Sequence, residues 1–257
     1  MKKLISIFLI LSTVRGWGQG DEGLITGNPD SALFVHTDIN NFWDAFDKIT
    51  THGKHVFDEY YIKKGSTGVR HFIDHNRIVN GDSLLNTVQR RKSDYLKIRE
   101  KTMHLAEIIP QCRATYYAFN YLYPQAKFPP VYFVIGRFNT GGVSLKTEQI
   151  IGAEMNDPAN IPFIVAHELI HANQNIPYKY KILLEQYIIE GSADFLGELI
   201  SGRVVSAEPY RYAAGKERAL WEDFLNDMNF GENDDFSNWL YAGNRKDERP
   251  ADMGYYI

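Results

Sequence analysis

From Ile161 to Ile170 every side chain is apolar except His167 and Glu168, and His171 follows at once. Phe163, Ile164, Val165, Leu169 and Ile170 call for a core, yet two imidazoles and a carboxylate are costly inside one unless each has a partner. A helix resolves the conflict. Residues four apart share a face one turn apart, so both imidazoles can reach a single ion. Glu168 sits on the same turn, where its carboxylate can hold a metal-bound water and take its proton. Pro162 suits a first helical turn and Asn160 is a candidate cap. The segment predicts a buried, metal-bearing helix over residues 162–174.

Zinc requires a third protein ligand. After a break at Asn175-Ile176-Pro177, residues 180–200 read as a second helix, whose antiparallel return would bring Glu190 back to the ion. Glu185 and Asp194 are the rival ligands. If Glu190 ligates, Asp194, one turn further on, can accept the free N–H of a ligand histidine and fix its tautomer. Gly191-Ser192-Ala193 are small enough to let the two helices approach closely.

The first half of the chain reads as nearly all helical, with helices expected over 38–49, 56–64, 82–103 and 111–122. After Pro129-Pro130, residues 131–135 are β-branched and aromatic and read as a strand. Residues 147–154 read as a second strand, pairing with the first across the glycine loop at 139–142, and residues 229–249 as a polar, loop-like tail. The fold class is therefore α+β, predominantly helical, with a small sheet beside the metal-bearing helix. No repeat or linker divides residues 19–257, which read as one domain with a helical part over 19–128 and a sheet and metal-site part over 129–257.

The N-terminus has a separate logic. Lys2 and Lys3 precede an apolar run and a small-residue exit at Gly16-Trp17-Gly18, the layout of a signal peptide over 1–18. The run is too short to span a bilayer, so the mature chain is expected to be periplasmic or secreted, with no transmembrane segment. The formal charge of −4 argues against nucleic acid as a partner. Cys112 reads as a buried, inert thiol, and the pairs His52/His55 and His71/His75 as surface residues.

The His167-Glu168-Leu-Ile-His171 run, followed by Glu190 and Asp194, resembles the gluzincin class of zinc metallopeptidases. More closely, His-Glu-Leu-Ile-His-Ala-Asn-Gln and Glu-Gly-Ser-Ala-Asp-Phe-Leu-Gly-Glu are similar to a bacterial family of predicted zinc-dependent proteases related to a gliding-motility lipoprotein family. Tyr61-Ile-Lys-Lys-Gly-Ser-Thr-Gly, Val134-Ile-Gly-Arg-Phe-Asn-Thr-Gly-Gly and Arg249-Pro-Ala-Asp-Met-Gly-Tyr-Tyr extend the similarity over most of the mature chain. The resemblance implies a zincin-like fold, one catalytic Zn2+ held by His167, His171 and Glu190, and Glu168 as general base. It also implies a helix beyond Ile257, so that this sequence ends before the family does. Gluzincins usually take their oxyanion donor from a downstream His or Tyr. No His follows His171, which leaves Tyr241, Tyr255 and Tyr256 as candidates.

The expected function is a zinc metallopeptidase acting on an extended polypeptide, which would pair with one of the two strands as a sheet edge. The rival is a non-catalytic envelope or motility-associated scaffold that keeps the frame without the chemistry.

Overall fold

The structure is a computed structural model that describes residues 24–175, 182–204, 207–231, 234–240 and 249–256. The expected signal segment, Tyr241 and much of the expected break after Asn175 lie outside these residues. The described chain is α+β and mostly helical, around one four-stranded sheet.

The sheet has the order β1-β2-β4-β3, from β1 (Phe34–Val35), β2 (Val131–Val134), β3 (Gly142–Leu145) and β4 (Glu148–Gly152). Strands β1, β2 and β4 are mutually parallel, and β3 returns antiparallel along β4. The expected pairing of residues 131–135 with 147–154 is present, as β2 with β4, but it is parallel and not a hairpin across the glycine loop. The hairpin is instead β3–β4, closed at Leu145 and Glu148, which inserts β4 between β2 and β3. Every residue of β2 and β4 is buried, as interior strands covered on both faces require. Neither is an edge; β3 is.

Helices cover both faces. On one, α1 (Thr37–Asp47) and α3 (Thr67–Asp74) pack against β2, where a Cβ on Gly68 would lie 2.4 Å from Tyr132 Cβ. On the other, α6 (Ile109–Leu122), α7 (Ile161–Asn173) and α8 (Leu183–Ser201) form a layer, with α7 against β3 and β4. The first of these faces also changes the reading of one histidine pair. His52 and His55 are exposed, but His71 is half-buried on α3 and pairs with the wholly buried Glu148 of β4.

The expected helix over 82–103 is divided into α4 (Gly81–Arg90) and α5 (Lys92–Met103) at Arg91. Val88 and Tyr95 are separated by two turns with no apolar residue, so one straight helix would carry that stretch past the core. The break lets Tyr95 stack on Phe42 and donate to Gly136 O at 2.7 Å. Residues 56–64 include a π-helical turn, Asp58–Ile62. With α2 (Ile49–His52) completing the first half, α9 (Ala207–Ala213) and α10 (Glu217–Asp227) enclose a second core. There Trp239, Leu240 and Met253 are fully buried with Tyr187 and Phe224. Cys112 is buried as expected. Among the described residues no helix is long and apolar enough to cross a membrane.

Glu154, just beyond β4, is buried and accepts from Phe138 N at 3.2 Å, pinning the loop that leads into β3. Burial pushes its carboxyl up to about 7, against backbone hydrogen bonds from Gly136 and Phe138. A folded pKa above the ordinary carboxyl value of 4.5 means that the folded chain holds a proton the unfolded chain releases. Its contribution is therefore present at low pH and lost as pH rises through about 7. Melting temperatures at about pH 5 and about pH 8 should accordingly fall less in Glu154→Gln than in the unaltered chain. An equal fall in both proteins would refute the assignment.

Candidate metal centre

Helix α7 begins after a short turn, Pro158–Asn160, in which Asp157 Oδ1 accepts from Ala159 N at 2.9 Å. Asn160, the expected cap, makes no side-chain cap bond because it is itself part of that turn. His167 and His171 sit one turn apart on α7, and Glu190 meets them from α8. The helices approach closely at Gly197, where a Cβ would lie 3.3 Å from His167 N and from a ring carbon of Phe163. The expected close-approach residue Gly191 instead faces Tyr255 O, which a Cβ there would meet at 3.0 Å, so its missing side chain makes room for the C-terminal segment.

The Nε2 atoms of His167 and His171 are 2.9 Å apart, and Glu190 Oε2 lies 3.5 Å and 3.3 Å from them. What each ring does with its other nitrogen decides the chemistry. His167 Nδ1 is 2.7 Å from Asp194 Oδ1, and His171 Nδ1 is 2.8 Å from Gln174 Oε1. The orientation of the Gln174 amide is fixed, because its Nε2 donates to Ile189 O and Ser192 Oγ. Both Nδ1 atoms thus face acceptors and carry the proton, so in the neutral rings both Nε2 atoms present lone pairs. Two such lone pairs and a buried carboxylate oxygen converge on one point. A proton can satisfy one contact; a divalent cation satisfies all three.

Donors at about 2.0–2.2 Å from tetrahedral zinc lie about 3.3–3.6 Å from one another, so the observed spacings need only the two imidazoles to part slightly. Glu190 Oε2 has no hydrogen-bond partner among the described residues. Two nitrogens and one oxygen are a donor set suited to zinc. The residues therefore fit a metal ion.

Glu168 is 1% exposed, and its Oε2 has no hydrogen-bond partner among the described residues. The carboxylate lies beside edge strand β3: a Cβ on Gly142 would come within 2.8 Å of Glu168 Oε1, and Ser144 Oγ donates to Glu168 O at 3.0 Å. Burial pushes the Glu168 carboxyl up, with the two imidazoles opposing it. Burial also opposes ionisation of Glu190; where the two imidazoles are protonated in the absence of a cation, their hydrogen bonds and charge prevail and hold it down at about 2.

Comparison with family models, with curated proteins and with solved structures finds no match. The centre is therefore read from its own geometry.

Of the rival ligands, Glu185 is exposed and Asp194 is engaged with His167 Nδ1, so neither joins the three converging atoms. Tyr255 and Tyr256 line the cleft over the centre. So does Tyr210, which was not singled out from sequence and donates to Glu198 Oε2 at 2.9 Å. Gln174 was also missed as an orienting residue; the signal was its position three after His171, one residue past the end of the same helix.

Asp194 and Gln174 each fix one imidazole tautomer, and loss of such a partner costs about 10–100-fold in metal affinity. Asp194→Ala and Gln174→Ala should each weaken zinc binding by that factor in competition titrations with a chelating dye. Unchanged affinity in either would show that its imidazole is held by packing alone.

Proposed function

We propose that this protein is a zinc-dependent peptidase with a zincin-like fold, in which His167, His171 and Glu190 hold the ion and Glu168 is the general base. The convergence of both Nε2 lone pairs and Glu190 Oε2 beside the buried Glu168 carboxylate, whose Oε2 has no hydrogen-bond partner among the described residues, carries the reading. Zinc held there would supply Lewis acidity, lowering the pKa of a water toward neutrality and polarising the scissile carbonyl.

The chain's own residues supply the rest. Glu168 takes the proton of the attacking water and returns it to the leaving amine, and the raised pKa of its carboxyl suits both halves of that exchange. Gly142, lacking a side chain, leaves room for the Glu168 carboxylate next to β3. Among the described strands β3 pairs only with β4, and an extended polypeptide added to its other edge would lie beside Glu168. This replaces the earlier expectation that residues 131–135 or 147–154 would offer the edge. Tyr255 and Tyr256 line the same cleft and remain the oxyanion-donor candidates within the described chain. An expected periplasmic or secreted location accords with a substrate met in unfolded or extended form.

The test is zinc content by elemental analysis of the purified protein, with hydrolysis of casein measured on the same sample. Near-stoichiometric zinc with cleavage is the expected result. Absence of zinc after metal-replete preparation would overturn the ligand assignment and favour the non-catalytic scaffold.

A further inference from the structure

The cleft above the metal centre is walled on one side by Phe163 and Ile164 of α7 and on the other by Pro209, Tyr210 and Tyr256. The two tyrosine rings meet edge to face, with centroids 5.1 Å apart. Glu198 lies among these walls, two turns beyond Glu190 on α8. Every formally charged carboxylate or cation side chain lining the cleft is acidic: Glu168, Glu190, Asp194, Glu198 and Asp252. No lysine or arginine lines it among the described residues.

These carboxylates have different tasks. Glu190 belongs to the ligand set, Asp194 holds His167, and Glu168 carries the proton. Glu198 is left over. Its Oε2 accepts one hydrogen bond, from Tyr210, whereas a carboxylate offers about four acceptor sites. The buried, unpartnered Oε2 of Glu168 independently marks the same cleft as one built to hold a ligand.

Apolar walls with a carboxylate among them suit one kind of group, a long aliphatic stem ending in a cation. Aromatic faces add to the attraction for such a cation. We propose that the cleft selects substrates with a lysine or arginine side chain beside the scissile bond, and that Glu198 is the residue that recognises its charge. The inference rests on the peptidase reading for its substrate class. An acidic side chain in the same place would face the like charge of Glu198 with no lysine or arginine among the described lining residues to offset it, and be disfavoured.

The test uses zinc-loaded Glu168→Gln protein, so that binding is read without turnover. Fluorescent peptides, identical except for Lys, Arg, Leu or Glu placed at each position in turn, are titrated by anisotropy. In parallel, cleavage of the same peptides by the unaltered chain is followed. At one position, Lys and Arg peptides should bind about tenfold or more tighter than Leu, with Glu weakest. Adding Glu198→Gln should remove most of that ratio, and Glu198→Lys should reverse it in favour of the Glu peptide. Equal binding of Lys, Leu and Glu peptides by the zinc-loaded protein would overturn the proposal without the need for a Glu198 variant. So would a ratio that survives both Glu198 substitutions. The two readings fail separately: basic-selective binding with no cleavage overturns the peptidase reading, while cleavage with no basic preference overturns the role of Glu198.

Discussion

Glu168→Gln is expected to lower kcat for casein or peptide hydrolysis by about 10²–10⁴-fold while zinc remains near-stoichiometric. The amide matches the carboxylate in size, so the space beside Gly142 stays filled and the helix keeps its packing. It cannot take up a proton at neutral pH. Because Glu168 lies outside the three converging ligand atoms, its charge is not needed to hold the ion. Loss of a buried acid whose Oε2 has no hydrogen-bond partner among the described residues should also leave the melting temperature unchanged or raise it. The variant thus separates proton transfer from metal binding. Loss of zinc along with activity would place Glu168 among the ligands instead. Activity within a factor of a few of the unaltered chain would exclude it as the base.

How much of this centre could be read in advance follows from how locally each part is encoded. His167, Glu168 and His171 share little more than one helical turn, so their spacing alone puts them together. Glu190 required only that a second helix return antiparallel. Gln174 lies just past the end of α7, where the chain leaves helical geometry, and only the structure shows its side chain turned back onto His171. Glu198 and Tyr210 meet through α9, an element whose place over the cleft depends on the second core rather than on any local pattern.

The sheet was misread for a different reason. Residues 131–134 and 148–152 are wholly buried, and continuous burial erases the period-2 alternation that would separate an interior strand from an edge. The edge strand beside Glu168, Gly142–Leu145, is short and begins at the glycines, so its sequence reads as a turn. Its position matters more than its length, because it is the strand that flanks Glu168. The tail repeats the lesson: Trp239, Leu240 and Met253 are buried by residues distant in sequence, and a polar local composition conceals them.

Removing zinc should lower the melting temperature by about 8–16 °C when the reference sample holds free zinc at about a thousand times its dissociation constant. Binding to the folded state alone then contributes about 4 kcal/mol. For a chain of this size each 1 kcal/mol shifts the midpoint by about 2–4 °C. The source of the effect is visible in the site. Without a cation, two Nε2 lone pairs and Glu190 Oε2 face one another in a space that holds no other partner for that oxygen among the described residues. Glu190→Gln should therefore dissociate the two effects of the metal. Its amide can donate to an Nε2, so the zinc-free variant should melt no lower than the zinc-free unaltered chain. Having lost an anionic ligand, it should show little or no rise on adding zinc. Calorimetry of both proteins with and without chelator checks this. An equal zinc-induced rise in the two would mean that the ion binds elsewhere, and the centre assigned to His167, His171 and Glu190 would fall with it.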